Sequence, residues 1–216
     1  MGISQMLMKL AEGMATSCWI FGITLLFSLP LGMVIAFGRM SKKRIVQGIT
    51  KIYISIMRGT PLMLQLMVVY LGPYYLFGIK ISPFYRNIAV VIGFVLNYAA
   101  YFAEIYRSGI ESMPVGQYEA AEILGYSKSH TFLHIILPQV IKRILPSVTN
   151  EVITLVKDTS LAFVIAVSEM FTIAKALASS QTSMVPYVAA GIFYYVFNFL
   201  VAWIMEKIEK HLSYYR

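Results

Sequence analysis

Apolar residues dominate five long stretches of the chain, over residues 15–38, 60–77, 88–106, 147–167 and 187–205, although Glu151, Lys157 and Asp158 interrupt the fourth. A helix needs about 20 apolar residues to cross the hydrocarbon core of a bilayer, because each residue adds about 1.5 Å. Hydrophobic residues make up 58% of the 216 residues, more than a soluble domain of this size normally carries. We therefore predict an all-α membrane protein, with five transmembrane helices in a single domain over residues 1–216.

Lysine and arginine are distributed unevenly around these stretches, and cytoplasmic segments of membrane proteins are enriched in both. If the N-terminus lies outside, four basic residues fall on the outer side: Lys9, Lys80, Arg86 and Lys175. Thirteen then fall on the inner side: Arg39, Lys42, Lys43, Arg44, Lys51, Arg58, Arg107, Lys128, Lys142, Arg143, Lys207, Lys210 and Arg216. We predict an outside N-terminus and a cytoplasmic C-terminus. The formal net charge of +8 then reflects topology rather than nucleic-acid binding.

The sequence gives little indication of a disulfide, a metal site or a cleaved signal peptide. Cys18 is the single cysteine, which excludes an intrachain disulfide. His130 and His134 have a spacing seen in metal sites, but no third ligand lies near them, so we predict no metal site. The first apolar stretch has a nearly neutral start and is followed directly by basic residues, which favours an uncleaved span over a signal peptide.

The longest segment between apolar stretches, roughly 108–146, contains EAAEILGYSKSHTFLHIILP at positions 119–138. Helix-forming residues end at Gly125, and glycine is typical of the position after a helix. Ser127 is a helix-capping residue type, whereas Pro138 is a helix breaker. We predict two short helices joined at Gly125, with the second ended by Pro138, at the cytoplasmic surface. An amphipathic hairpin that merely connects two spans is the alternative.

The spacing within this segment resembles a loop shared by the permease subunits of ABC transporters: EAA, three residues, Gly, nine residues, Ile, one residue, Leu-Pro. The matching positions are Glu119, Ala120, Ala121, Gly125, Ile135, Leu137 and Pro138. Three further stretches resemble permeases for polar amino acids, the group that handles His, Arg, Lys, Gln, Glu and opines. These are RGTPLMLQL (58–66), AAYFAEIYRSGIESMPVGQYEAA (99–121) and KDTSLAFVIAVSEM (157–170). The resemblance covers almost the whole chain.

The resemblance implies a type I ABC importer permease fold in a prokaryotic cell membrane. It implies an ATP-binding cassette ATPase, an extracytoplasmic amino acid-binding protein and a second permease subunit as partners, in a homodimer or a heterodimer surrounded by lipid. The chain has no GxxxxGK[ST] pattern, so we expect ATP and Mg on the ATPase, and no cofactor or enzymatic activity here.

The resemblance also implies that residues 117–138 couple the permease to the ATPase as a short helix seated in a groove. In that role the glutamate offers a charged contact, the alanines allow close approach, the glycine permits the turn and the proline ends the second helix. The residues expected to couple are Glu119, Ala120, Ala121, Gly125, Leu137 and Pro138.

Polar residues in the third and fourth apolar stretches recur every three or four residues, which places each set on one helical face. The two stripes are Asn97, Tyr101, Glu104 and Ser108, and Ser147, Glu151, Thr154 and Asp158. An ionisable group at the bilayer centre costs about 2.5–3.5 kcal/mol on insertion scales, so each needs a partner or a wet cavity. For Glu104 we favour an ion pair with Arg107.

Glu151 and Asp158 lie seven residues apart on one face, about 10 Å along a helix. Two carboxylates lining a cavity suit a cationic side chain or an α-ammonium group. We predict that the substrate-binding residues are Asn97, Glu151, Asp158, Gln65 and Tyr101. For Gln65, hydrogen bonding between helices is an equal alternative. The carboxylates favour arginine, lysine or histidine as substrate, while glutamine, glutamate and cystine remain open.

The alternative function is an ion-coupled secondary amino acid carrier or channel, in which Glu104, Glu151 and Asp158 would bind a coupling ion. Such carriers usually contain inverted repeats with broken helices in matching halves. We find no such repeat in the sequence, and five spans do not divide evenly. A purely structural membrane scaffold is a third option. Dependence of uptake on an ATPase separates the first function from the other two.

Overall fold

A computed structural model describes residues 2–212, which form helices joined by short turns and contain no strand. The helices are α1 (Ile3–Arg39), α2 (Arg44–Gly59), α3 (Leu62–Phe77), α4 (Pro83–Glu111), α5 (Val115–Ile123), α6 (Lys128–His130), α7 (Leu137–Asp158), α8 (Met170–Gln181) and α9 (Val185–Leu212). A π-helical turn joins α6 to α7, and a 3₁₀ segment, Thr159–Ile165, follows α7. The all-α prediction is confirmed. Arg216, assigned above to the cytoplasmic side, lies outside the described residues.

Three helices are long and apolar enough to cross a membrane without interruption. These are α1 with 37 residues, α4 with 29 and α9 with 28. The remaining candidates are bent pairs: α2 meets α3 at 110°, and the helix Lys128–Ile165 meets α8 at 59°. By length and composition the described residues therefore provide three spans, and the predicted five only if each bent pair is one span.

Helix α4 occupies the centre of the fold, and α1, α2, α3 and α7 pack around it. Four aromatic side chains at every fourth residue form a column along it: Phe94, Tyr98, Phe102 and Tyr106. Neighbouring rings in the column have centroids 6.3–6.5 Å apart, within the range of aromatic pairs. This buried column fixes the other helices around α4.

Helix α1 approaches α4 closely at Gly32. A Cβ atom at this position would lie 2.9 Å from Cβ of Phe102 and 3.1 Å from the backbone oxygen of Ala99. Small residues let helices approach closely in membranes, where dispersion contacts replace the hydrophobic effect as the driving force between helices. At Gly32, helix α1 therefore packs directly against the backbone of α4.

The break between α2 and α3 follows from Thr60 and Pro61. A residue before proline avoids the α conformation, and Thr60 is extended at φ −123° and ψ 147°. The predicted span over residues 60–77 matches α3. The separate helix α2 was not predicted. Its polar and apolar residues are interspersed, so the helix is amphipathic and forms no long apolar stretch.

The prediction that Pro138 ends the second loop helix is wrong. Helical structure continues from Lys128 to Asp158, with Pro138 in the first turn of α7. Just before it, Thr131–Ile136 form a π-helical turn, in which the N–H of Leu137 donates to the carbonyl of Phe132 five residues back. The widened turn accommodates the proline ring and its missing N–H without a break.

The predicted single span over residues 147–167 is also wrong in its bounds. Helix α7 begins ten residues earlier and ends at Asp158, where the hydroxyl of Ser160 donates to the carbonyl of Lys157 at 2.7 Å. Such local bonds compete with helical ones and tighten the last turn. Ala166 then adopts a left-handed conformation at φ 57°, and α8 begins after Glu169.

Replacing Gly32 with alanine should lower the free energy of unfolding by about 1–3 kcal/mol, because overpacking against a backbone cannot be relieved by a rotamer change. Thermal unfolding of the purified protein measures the effect. Gly22→Ala is the matched control, since a Cβ at Gly22 on the same helix meets nothing within 4 Å. Equal stabilities of the two variants would contradict the close α1–α4 contact.

Candidate functional site

The loop that resembles a coupling loop folds as a helical hairpin with a well-defined turn. Helix α5 ends with the two hydrogen bonds of a Schellman motif, from Tyr126 N–H to the carbonyl of Ala121 and from Gly125 N–H to that of Glu122, both 3.0 Å. Gly125 has φ +78°, a conformation that favours glycine. The hydroxyl of Ser127 accepts the N–H of His130 at 3.2 Å and caps α6. The predicted turn and cap are confirmed.

The hairpin is attached to α7 by a pair of side-chain amides. Nε2 of Gln117 donates to Oε1 of Gln139 at 2.9 Å, and Nε2 of Gln139 donates back to Oε1 of Gln117 at 2.8 Å. Nε2 of Gln139 also donates to the carbonyl of Ile135 at 2.7 Å, within the π-helical turn. Two reciprocal hydrogen bonds thus connect α5 to the start of α7.

Helix α5 and the residue that follows it carry exposed apolar side chains. Ile123 is 86% exposed, Leu124 72% and Val115 68%. Exposed apolar residues grouped on one short element mark an interaction surface more often than isolated ones do. Burial raises the pKa of the nearby Tyr118 phenol, which therefore stays neutral.

The six residues expected to couple fall into two groups. The exposed group is Glu119, Ala120, Gly125 and Pro138. Ala121 is buried and Leu137 half-buried, so these two pack inside the hairpin. Within the described residues Glu119 makes no hydrogen bond or ion pair, and its carboxylate is available to a partner.

Two amides predicted to bind substrate, Gln65 and Asn97, lie together at the α2–α3 break. The carbonyl of Met57 accepts from Nε2 of Gln65 at 2.9 Å and from Nδ2 of Asn97 at 3.2 Å. Nδ2 of Asn97 also donates to Oε1 of Gln65 at 3.0 Å. Backbone carbonyls freed by a helix break have no water in a membrane, so these amides satisfy the end of α2.

Asp158, at the end of α7, contacts α4. It accepts the hydroxyl of Tyr98 at 2.7 Å. Glu151 is half-buried on the same helix, and Arg58 and Asp158 are the charged groups that act on it electrostatically. Both predicted carboxylates are thus half-buried on α7, and Asp158 contacts α4. Lys157 is exposed, and its charge also acts on the neighbouring Asp158.

Tyr101 lies on the polar stripe of α4 and faces a cation. The guanidinium of Arg58 lies 5.4 Å from the centre of its ring, within cation–π range. Neither Arg58 nor Tyr98 was predicted to lie at the substrate site. Tyr98 lies about 100° around the helix from Asn97, off the polar stripe. Tyr98 could have been identified as a hydroxyl donor for one of the carboxylates that were predicted to be buried.

Glu104 forms an ion pair with Arg107, as predicted, and Arg107 also pairs with Glu111. The charge of the Glu104 carboxylate is therefore neutralised within α4. Farther along the chain, the rings of His130 and His134 stack with centroids 4.3 Å apart. Across residues 2–212 no three His, Cys, Asp or Glu side chains are grouped closely enough to hold a metal ion.

Comparison with known proteins agrees with this geometry. Residues 28–214 match the family described as binding-protein-dependent transport system inner membrane component. The L-cystine transport system permease protein TcyL of Bacillus subtilis (strain 168) is 38% identical, over 98% of this chain and 90% of its own length. The arginine transport system permease protein ArtQ of the same strain is 36% identical, over 94% of this chain and 91% of its own.

A solved structure confirms the predicted permease fold. The crystal structure of an amino acid ABC transporter with histidines contains a chain that is 29% identical to this one. The two superpose with a TM-score of 0.85 over 94% of each chain. Since the family match spans most of the sequence, this chain belongs to the inner membrane components of binding-protein-dependent transport systems, among the amino acid permeases of ABC transporters.

Proposed function

We propose that the chain forms the translocation pathway of an ATP-driven importer for polar amino acids, with a preference for cationic ones. A separate ATPase docks on residues 117–138 and drives the transport cycle. The observation that carries this proposal is the exposed α5 hairpin, because an ion-coupled carrier has no need for a projecting helix with an unpaired carboxylate and exposed apolar side chains.

The hairpin is connected to the candidate substrate site through one helix. Gln117 on α5 is hydrogen-bonded to Gln139 on α7, and the same helix ends at Asp158. The two α7 residues are about 28 Å apart along the helix axis. A rigid-body displacement of α5 by the ATPase would therefore move the carboxylates at the far end of α7.

The partners follow from the family and from what the chain lacks. With no phosphate-binding loop in its sequence, ATP and Mg bind to the ATPase. The family is binding-protein-dependent, so an extracytoplasmic protein delivers the amino acid, and a second permease subunit completes the pathway. The distribution of lysine and arginine supports an outside N-terminus and a cytoplasmic C-terminus in a bacterial cell membrane.

The substrate site we propose lies between α4 and α7. Glu151 and Asp158 hold the cationic groups of the amino acid through charge-assisted hydrogen bonds. Arg58, which faces the ring of Tyr101, is the cation available to the α-carboxylate. Asn97 contributes Oδ1, which receives no hydrogen bond within residues 2–212, while Gln65 shapes the wall. The two carboxylates are half-buried, whereas Arg58 and Lys157 are exposed and more strongly screened by solvent, which favours a substrate with a net positive charge.

Replacing Glu119 with lysine should reduce the amount of ATPase that co-purifies with the permease roughly tenfold or more, because an unfavourable charge at an interface costs several kcal/mol. Co-purification from membranes at limiting ATPase measures the effect.

Glu12→Lys is the control for this change. It reverses an exposed carboxylate in the same way on α1, far along the chain from the hairpin. Unchanged ATPase recovery and full uptake by the Glu119 variant would remove this residue from the docking surface.

Replacing Glu151 with glutamine, or Asp158 with asparagine, should lower ATP-driven uptake of arginine about tenfold at subsaturating concentration, since hydrogen bonds to charged groups are worth about 1.5–3 kcal/mol. Uptake of glutamine should fall much less in at least one of the two variants, because glutamine has a neutral side chain and needs a carboxylate only for its α-ammonium group. Competitive uptake of the two labelled amino acids into proteoliposomes measures the ratio.

Glu104→Gln serves as the control, because this carboxylate already pairs with Arg107. Its arginine-to-glutamine ratio should stay at the wild-type value. If the Glu151 and Asp158 variants keep that ratio as well, the cationic preference is wrong, although the importer function stands.

A further inference from the structure

A groove of about 490 Å³ opens at the N-terminal end of α4, away from the coupling hairpin. Its polar and aromatic lining comes from α1, α4 and the turn before α8: Thr16, Trp19, Arg86, Asn87 and Ser168. The volume lies within the range of small-molecule sites, about 300–1,000 Å³. The orientation proposed above places this groove on the extracytoplasmic side.

One edge of the Arg86 guanidinium donates a hydrogen bond, and the other edge donates none within residues 2–212. Its Nη1 donates to the carbonyl of Ala166 at 3.0 Å, which fixes the side chain against the turn before α8. Its Nε is buried and has no hydrogen-bond partner within residues 2–212. A buried donor without an acceptor is costly, and the Nε–Nη2 edge matches the two oxygens of a carboxylate.

The groove lies on the same side of α4 as the candidate substrate site. Asn87 and Tyr98 are eleven residues apart, slightly more than three full turns, so they point in nearly the same direction about 16 Å apart. The 3₁₀ segment Thr159–Ile165 connects Asp158 to Ala166, whose carbonyl accepts from Arg86. The groove and the Asp158 site are thus joined by the same two elements.

We propose that this groove is an outer binding site for the α-carboxylate of an amino acid, held by Arg86. Trp19, 44% exposed, offers an aromatic face to the side chain of the amino acid. A carboxylate is common to every amino acid, so the outer site does not discriminate between side-chain charges. Selection between side-chain charges is then made by the carboxylates on α7, Glu151 and Asp158. The inference rests on the proposed function, because it takes an amino acid as the transported molecule.

The test uses a single reporter cysteine in the reconstituted permease–ATPase complex. Cys18, the only native cysteine, is replaced by alanine, and Ser168→Cys places a thiol in the groove wall. The rate of modification by a membrane-impermeant thiol reagent is measured without the binding protein. L-arginine and L-glutamine are the probes, and L-argininamide, which lacks the carboxylate, is the comparison.

We expect both amino acids to slow modification and argininamide to have no such effect. Arg86→Gln should raise the arginine concentration for half-protection about tenfold or more, since the charge-assisted hydrogen bonds are lost. Lys80→Gln is the matched control, because it removes a cation outside the groove, and should leave protection unchanged. Unaltered basal ATP hydrolysis verifies that each complex is assembled.

Three results would overturn the outer site: no protection by either amino acid, equal protection by argininamide, or full protection in the Arg86 variant. ATP-driven uptake, measured in the same proteoliposomes after adding the binding protein, separates this inference from the proposed function. Uptake without protection overturns the groove alone. Protection without uptake of any amino acid supports the groove as a carboxylate site and overturns the importer function.

Discussion

The polar groups of α4 lie in a membrane-spanning helix, where each of them needs a partner, and the arrangement of the other helices follows from how they find one. Asn97 and Gln65 together satisfy the carbonyl at which α2 ends, so the sharp bend into α3 is supported from α4. Tyr98 donates to Asp158 and fixes the end of α7. Unpaired polar groups in a bilayer cost several kcal/mol each, which makes these contacts decisive.

Coupling and substrate binding then share a single helix. The amides of Gln117 and Gln139 connect the hairpin to the start of α7, and Asp158 stands at its other end. Between these points α7 is continuous, although Pro146 lies inside it. A continuous helix transmits a displacement that a break at the proline would have dissipated.

The sequence predicted the features that depend on local chemistry. Apolar stretches identified α1, α4 and α9, and Gly125 and Ser127 correctly marked the turn and the cap. It failed where the backbone departs from a regular α-helix and where residues distant in sequence meet. The effect of Pro138 depends on a widened turn, the bent fourth span depends on local hydroxyl bonds, and Tyr98 meets Asp158 across sixty residues of chain. None of these follows from periodicity.

Locking α5 to α7 tests most directly whether the two move as one body. With Cys18 replaced, cysteines at Gln117 and Gln139 would be joined by a short bifunctional thiol reagent in the reconstituted importer. ATP-driven amino acid uptake is then compared before and after cross-linking. The account predicts that uptake is retained, because the two amides already hold the elements together. Loss of uptake with continued ATP hydrolysis would contradict it, since α5 would then have to move relative to α7.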